Sequence, residues 1–387
     1  MKIALVNLWN VNNSYGGTAK VFFDMANALS EKGHIVTAIT HSTSRGEPVF
    51  PINEGVIYQN CGASLKERYF HNGFYPKLLT FFIRNRMKRR VMRSKLELTA
   101  KSTAILRSLK YSNPEVIVSF QQETTYLLLE LLKVKVPIIT MFHNAPSEYF
   151  NKPEFVLYKS ALENCACLQV LMPEYIQESL NYLSPKNIVC IPNTVPQYAE
   201  SSLVNSPVIL NVGRIGTQKR QHLIVEAFAK LKSRYPDWKV ELWGPINNDT
   251  AYVKNLKQLI KDLNLQKEVT LRGSTNDVKA KLKEASVFAF PSAYEGFSLA
   301  LTEAMSMGLP AIGCRSCPSV NTLIKDGENG YLCSDSSEDI ATKLEVLMKD
   351  YELRKKMGSN AKKKVSDYSS EKVWQQWEDL FHIILSK

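Results

Sequence analysis

The sequence predicts an α/β protein built from two doubly wound parallel sheets. Three observations carry that prediction. Short apolar runs alternate with helical stretches along the chain, the rhythm of successive βαβ units. The first unit starts at residue 2 and turns on a glycine pair, Gly16 and Gly17. After a polar, proline-containing stretch over residues 196–207, the same rhythm restarts at residue 208. We therefore place one Rossmann-like domain at residues 1–196, a second at 197–366, and a terminal helix at 367–387.

In the first domain, residues 2–8 read as a strand. The helix after Gly17 carries Val21, Met25 and Leu29 at i, i+4 and i+8, with Phe22 beside them. Gly33 ends it, and residues 35–40 form the next strand. Residues 41–75 show no clear period. Residues 81–110 hold ten Lys or Arg against one acid, Glu97, with no Pro or Gly. This reads as one helix, with Leu79, Phe82, Ile83, Met87 and Val91 on an apolar side. A basic amphipathic helix fits an anionic membrane surface, a solvated helix face or a nucleic-acid face. Strands follow at 116–120, 136–142, 167–171 and 188–191, with helices at 126–132, 154–165 and 174–183. His143 stands at the carboxyl end of its strand, where open parallel sheets bind ligands. A purely structural histidine suits that position equally well.

The second domain repeats the pattern. Strands are expected at 208–212, 240–243, 269–271, 287–290, 311–313 and 331–333. The intervening helices are expected at 252–263, 276–285, 299–307, 320–324, 337–349 and 351–365, with a further one carrying Leu223, Ile224, Ala227, Phe228 and Leu231. A last amphipathic helix over 371–385 carries Trp374 and Trp377. Ser298 is placed to cap the helix at 299, and Gly308 and Pro310 end it.

Composition sets the class. The 387 residues are 44% hydrophobic and 22% charged, ordinary for a globular protein of two or three domains. No run of about 18 apolar residues predicts a membrane-spanning helix. The start of the chain leaves no room for a signal peptide. Seven scattered cysteines, of which only Cys314 and Cys317 have Cys-x-x-Cys spacing, read as free cytosolic thiols, and no metal site is expected. A formal net charge of +12 suits an anionic partner.

The chemistry concentrates in the second domain. Arg214 and Lys219 follow its first strand, while Glu295 and Glu303 follow a later one. All four therefore line one sheet edge. Two cations beside two carboxylates suit a sugar nucleotide, with the diphosphate on Arg and Lys and hydroxyls on Glu. The same four residues could instead form two internal salt bridges, although neither cation has an acid near it in sequence.

Within residues 291–310, Pro291-Ser292-x-x-Glu295-Gly296-Phe297-Ser298-Leu299-x-Leu301-x-Glu303-Ala304-Met305-x-x-Gly308-x-Pro310 is the most specific run. With Tyr15-Gly16-Gly17, Gly33-His34-x-Val36, Pro192-Asn193, Val212-Gly213-Arg214, Lys219 and Asp326-Gly327-x-Asn329-Gly330, it resembles the retaining glycosyltransferases of family four, from residue 2 to the C-terminus. That resemblance implies the GT-B fold, with two Rossmann-like domains facing each other across a cleft and the terminal helix packing back on the first. It implies Arg214 and Lys219 on the donor diphosphate, Glu303 on the ribose, and Glu295 on the donor sugar with the amides of Gly296, Phe297 and Ser298 nearby. Gly16 and Gly17 would approach the donor, His143 would face the reacting sugar, and the base would lie near Arg272 and Gly273.

Three departures stand out: Arg220 and Thr194 occupy positions where the family often has Gly, and residues 317–322 replace a region that often carries a glutamate. No Asp-x-Asp occurs. The expected activity is metal-independent retaining hexosyl transfer from a nucleotide sugar, a UDP-sugar by preference, to a lipid-linked or cell-envelope glycan. No cofactor and no nucleic-acid partner are expected. The expected location is cytoplasmic, peripheral on the inner face of the cell membrane through residues 82–93. The alternatives are a sugar-nucleotide epimerase, a soluble-sugar synthase on the same fold, or a basic nucleic-acid-binding protein.

Overall fold

The computed structural model describes residues 1–14, 16–43, 46–62, 74–246 and 250–386. Tyr15 and part of the unread stretch before residue 75 lie outside them. The chain divides into two compact units, residues 1–193 with 373–387, and residues 194–372.

The first unit is a seven-stranded parallel sheet of β1 (Lys2–Asn7), β2 (Ile35–Thr40), β3 (Val56–Asn60), β4 (Val116–Ser119), β5 (Ile138–Met141), β6 (Cys167–Val170) and β7 (Ile188–Cys190), in the order β3-β2-β1-β4-β5-β6-β7. Helices cover both faces of such a sheet, so its strands are apolar on both sides rather than alternating. In β4 and β5 every residue is buried. The helix Gly17–Glu31 packs Phe22 edge-on against Phe120, 4.9 Å between ring centroids. It closes as a Schellman motif: His34 N donates to Leu29 O (3.1 Å) and Gly33 N to Ser30 O (3.0 Å), with Gly33 left-handed at φ +87°. The terminal helix Ser370–Leu385 belongs to this unit from Val373 onward, and its Glu378 lies 2.8 Å from His34 Nε2.

The basic stretch differs from the sequence expectation. Its long helix runs Arg86–Ser112, not from residue 81, because Asn85 caps it by accepting from Lys88 N at 3.0 Å. A short helix, Phe74–Leu79, precedes it, and the chain turns between them. Leu79, Phe82 and Met87 consequently lie exposed instead of forming a packed apolar side. The helix expected at 126–132 starts earlier, as Gln122–Tyr126, and widens into a π turn over Leu127–Leu131. No apolar period announced β3, an edge strand with one buried residue, or the single turn Ser147–Phe150.

The second unit holds β8 (Val208–Val212), β9 (Lys239–Trp243), β10 (Val269–Gly273), β11 (Val287–Phe290), β12 (Ala311–Cys314) and β13 (Gly330–Cys333), in the parallel order β10-β9-β8-β11-β12-β13. Residues 196–207, read as a linker, are docked on this unit rather than loose. Ser202 N donates to Met307 O at 2.8 Å, Tyr198 N to Ser306 Oγ at 3.2 Å, and Glu200 pairs with Lys279 at 2.6 Å. No helix among the described residues is long and apolar enough to cross a membrane.

One close approach holds the helix Leu299–Ser306 against the helix Tyr351–Val365. Gly308 ends the first helix at φ +78°, and a Cβ on Gly358 in the second would stand 1.9 Å from Gly308 O. The helices can meet this closely only because Gly358 lacks a side chain, while Gly308 is needed for its left-handed backbone. Gly358→Ala is expected to lower unfolding stability by about 3 kcal/mol in denaturant titration, the upper end of overpacking costs, because backbone cannot move aside as a side chain would.

Candidate active site

In each sheet the strand order reverses once, beside β1 in the first unit and beside β8 in the second. Open α/β sheets bind ligands outside the carboxyl ends of the strands at such points. In the second unit the reversal lies between β8 and β11. Asn211, buried in the middle of β8, bridges the two strands by donating its amide to Ala289 O at 2.7 Å. Buried Gln221 continues the network, donating to Asn211 Oδ1 (3.3 Å) and Arg214 O (3.1 Å) and accepting from Gly216 N (3.3 Å). A polar residue inside the apolar run Val-Ile-Leu-Asn-Val was the sequence signal for Asn211, and it passed unread.

This scaffold presents the candidate residues. Gly213 and Gly244, after β8 and β9, pack backbone to backbone. A Cβ on Gly244 would lie 2.0 Å from Gly213 O. Lys219 ends a 3-10 turn, Thr217–Lys219, and points across the reversal to Glu295 in the loop after β11. Nζ to Oε1 is 2.5 Å, and both side chains are largely buried. Lys219 Nζ also stands 4.7 Å from the centre of the Phe290 ring. One of the two internal salt bridges considered from the sequence is thus present. Among the described residues Arg214 takes no acid: it is exposed and donates to Gln218 Oε1 at 3.1 Å. Gln218 in turn clasps the second loop, donating to Tyr294 O at 2.8 Å and accepting from Ala293 N at 2.9 Å.

Arg220 has φ +51°. That left-handed position is why glycine suits the site. Here Arg220 is held by Asp335 at 2.7 Å, which anchors the turn that aims Lys219.

Glu303 lies on the helix Leu299–Ser306, half-buried. Burial, followed by the negative charge of Glu303, pushes the Tyr198 phenol up to about 12. Ser298 sits at the start of this helix but does not cap it. Its backbone is non-helical and its hydroxyl bonds Ser319 Oγ instead, at 3.2 Å. Gly296 and Phe297 are buried, with the Phe297 ring edge-on to Tyr368 at 5.3 Å. The Ser292 hydroxyl is buried without a hydrogen-bond partner among the described residues, a feature nothing in the sequence singled out. Arg272 turns to the neighbouring strand and pairs with Glu241 at 2.7 Å, while Gly273 beside it is open, at φ +77° with nothing near its Cβ position.

In the first unit, Gly16 precedes the helix Gly17–Glu31 in an extended conformation. His143 follows β5. Its ring stacks on Phe120 (5.1 Å, 23°), and the backbone N–H groups of His143 and Asn144 both donate to the Tyr149 hydroxyl, at 3.1 and 3.2 Å. His143 Nε2 is buried without a hydrogen-bond partner among the described residues, and burial lowers the imidazole pKa to about 4. Burial therefore favours the neutral form of the ring.

A family model described as glycosyl transferases group 1 matches residues 198–364. The chain is 26% identical over 375 residues to a protein of Haemophilus influenzae described as an uncharacterized glycosyltransferase, covering 95% of this chain and 96% of that one. Among solved structures it is similar to the sucrose-phosphate synthase of Thermosynechococcus elongatus, with a TM-score of 0.82, 18% identity and 99% of each chain covered. It is also similar to Anabaena HepE crystallised with UDP and glucose, with a TM-score of 0.74, 16% identity and 99% of each chain covered. The fold is thus that of GT-B glycosyltransferases, two Rossmann-like parallel-sheet units.

The His143 environment sets a pH dependence. Its folded pKa lies below the ordinary 6.5, so it contributes stability above pH 6.5 that is lost as pH falls toward 4. Between pH 7 and 4.5 this one group removes about 2–3 kcal/mol. His143→Phe, which keeps a ring on Phe120, is expected to flatten that slope in denaturant unfolding at the two pH values; an unchanged slope would refute the assignment.

Proposed function

We propose, from the premise that its second unit belongs to the group 1 glycosyl transferases, that this chain moves a hexose from a UDP-sugar to a lipid-linked or cell-envelope glycan with retention of configuration. The observation that carries the reading is Lys219 beside Glu295 at the β8–β11 reversal, with Arg214 on the same edge. Arg214 and Lys219 would hold the donor diphosphate. Glu295 would take sugar hydroxyls, and Glu303 the ribose. The amides of Gly296, Phe297 and Ser298 would lie along sugar and phosphate, and the base would sit near Arg272 and Gly273.

The reaction balances without metal. The bond from sugar C1 to the diphosphate oxygen breaks, and a bond from C1 to the acceptor oxygen forms on the same face. The acceptor proton passes to the departing phosphate oxygen. The transition state has oxocarbenium character and a growing negative charge on the leaving group. Fixed cations there supply electrostatic stabilisation without reorganisation. Lys219 is pre-aimed by Glu295, so the cost of ordering a long side chain is already met in the free protein.

The membrane part rests on an exposed surface. Phe81 and Phe82 are 70% and 87% exposed and stack edge-on at 5.4 Å, with Leu78 and Leu79 exposed beside them. Arg84, Arg86 and Lys88 are exposed next to this patch. Aromatic and aliphatic tips ringed by cations suit an anionic interface, each cation adding about 1 kcal/mol. Arg90, by contrast, is paired with Glu154 and is not part of that ring.

Two outcomes test the reading. UDP or a UDP-sugar at about 100 times Kd should stabilise the protein by about 2.7 kcal/mol, and Lys219→Ala and Glu303→Ala should abolish the shift at that concentration. Turnover in Lys219→Ala should fall by about 10²–10³-fold. If no nucleotide sugar stabilises the wild type, the transferase reading fails. Separately, Arg84→Glu with Arg86→Glu and Lys88→Glu should release the protein from phosphatidylglycerol vesicles in co-sedimentation; undiminished binding removes the membrane from the proposal.

A further inference from the structure

Residues 219 and 220 are consecutive cations, and both reach across the second sheet. Lys219 crosses the reversal to Glu295, in the loop after β11. Arg220 reaches further along the strand order, to the turns after β12 and β13. Its Nη1 lies 2.7 Å from Asp335 Oδ2 and 3.5 Å from Ser316 Oγ, and Ser316 Oγ donates to Asp335 Oδ1 at 2.6 Å. One carboxylate therefore joins the turns that follow β8, β12 and β13. Asp335 itself stands on a fixed base. The amide and the hydroxyl of Ser334 before it both donate to Asp339 Oδ2, at 2.7 and 3.0 Å, in the first turn of the helix Ser337–Lys349. Burial opposes its charge, yet hydrogen bonds from Ser316 and Arg220 hold its carboxyl below the ordinary carboxylate range.

Arg220 is the single residue between the 3-10 turn Thr217–Lys219 and the helix Gln221–Ala229. At φ +51° and ψ +37° it is left-handed. That conformation is about 10-fold less populated for an L-residue than the right-handed one, whereas glycine adopts it freely. The backbone on both sides is bonded around it: Lys219 N donates to Gly216 O at 2.9 Å, and Leu223 N to Arg220 O at 3.0 Å. A change of sign in φ at residue 220 would swing the 3-10 turn relative to the helix and carry Lys219 Nζ off Glu295. Partly exposed ion pairs add little to global stability. This one stands where a small energy decides a local conformation.

We propose that Asp335 is a positioning residue for the donor site: by holding the Arg220 side chain it keeps residue 220 left-handed, and so keeps Lys219 aimed at Glu295. The assignment rests on the transferase reading for what Lys219 binds, and adds to it a carboxylate that touches no substrate. Arg220 acts through its backbone, and its guanidinium serves Asp335 rather than a donor phosphate. The need for Asp335 therefore exists only while residue 220 carries a side chain. Glycine at 220 removes that need, because it holds the same φ without an anchor. A direct electrostatic role for either residue would show no such dependence.

The test uses the full chain and two readouts. UDP affinity is measured by titration calorimetry. The aim of Lys219 is measured without ligand, as the rate of its acetylation by acetic anhydride in peptide mass spectrometry, against the exposed Lys355 and Lys356 as internal standards. Asp335→Ala should weaken UDP binding about 10-fold and speed Lys219 acetylation by a similar factor, the population ratio set by the left-handed backbone. Arg220→Ala should do the same. Asp335→Asn, equal in size, should follow Asp335→Ala and carries the test if the alanine variant does not fold. Adding Arg220→Gly to Asp335→Ala should restore both readouts to near the wild-type values, which the loss of a merely structural contact would not allow. Unchanged affinity and acetylation in the Asp335 variants, or no recovery in the double variant, would overturn the proposal. If wild-type protein binds no UDP while the acetylation rates follow the expected pattern, the transferase reading fails and the positioning of Lys219 by Asp335 stands, so the two failures are distinguishable.

Discussion

The Lys219–Glu295 pair crosses the one place in the second sheet where the chain reverses its direction of travel. Strands on either side of that gap send their following helices to opposite faces, so the loops after β8 and β11 part and leave room above the sheet edge. A cation from one loop and a carboxylate from the other meet in that room, and the rest of the site is arranged around holding them. Asn211 ties β8 to β11 beneath, Gln218 ties the two loops above, and Arg220 accepts a left-handed backbone so that Lys219 can aim inward. Most of this support comes from uncharged amides. These can be buried with full hydrogen bonding at much lower desolvation cost than ions.

The first unit solves the same geometric problem with the same kind of part. Gln121 bridges the β1–β4 gap, accepting from Leu8 N at 3.0 Å and donating to Asn7 Oδ1. In both sheets a buried amide side chain therefore fixes the reversal point, and ionisable residues gather over it. The difference lies in charge. The second unit places Arg214, exposed and with no acidic partner among the described residues, on the same edge as its ion pair, whereas Arg90, Lys101 and Lys152 match Glu97, Glu123 and Glu154 in number in the first.

Legibility varied with burial. Strands buried on both faces were read nearly to the residue, as at 35–40, 208–212 and 287–290, because continuous apolar runs between turn residues have few other meanings. The edge strand β3 was invisible, since one buried residue leaves no period. The basic helix was read with the wrong start. A count of cations and the absence of Pro and Gly cannot show that Asn85 caps the helix at residue 86, and that error hid the exposure of Phe81 and Phe82. Ser298 had the right residue type and position for a cap, yet its hydroxyl found Ser319, twenty-one residues away in sequence. Local capping rules do not see tertiary competitors.

The sequence by itself determined the class of fold, the identity of the residues above the second sheet and their shared edge, because alternation, strand ends and residue types are local properties. It left open whether Lys219 and Glu295 pair, since a 76-residue separation has no bearing on a distance until the sheet order brings β8 beside β11. It passed over Glu123 and Gln122 altogether, because a carboxylate after a strand is unremarkable in sequence. Only the crossing of the helix Arg86–Ser112 over that strand end brings Ser94, Glu97 and Lys101 to face them across one cavity. Tertiary structure decided which of these groups meet, because contacts between distant residues depend on sheet order and helix crossing.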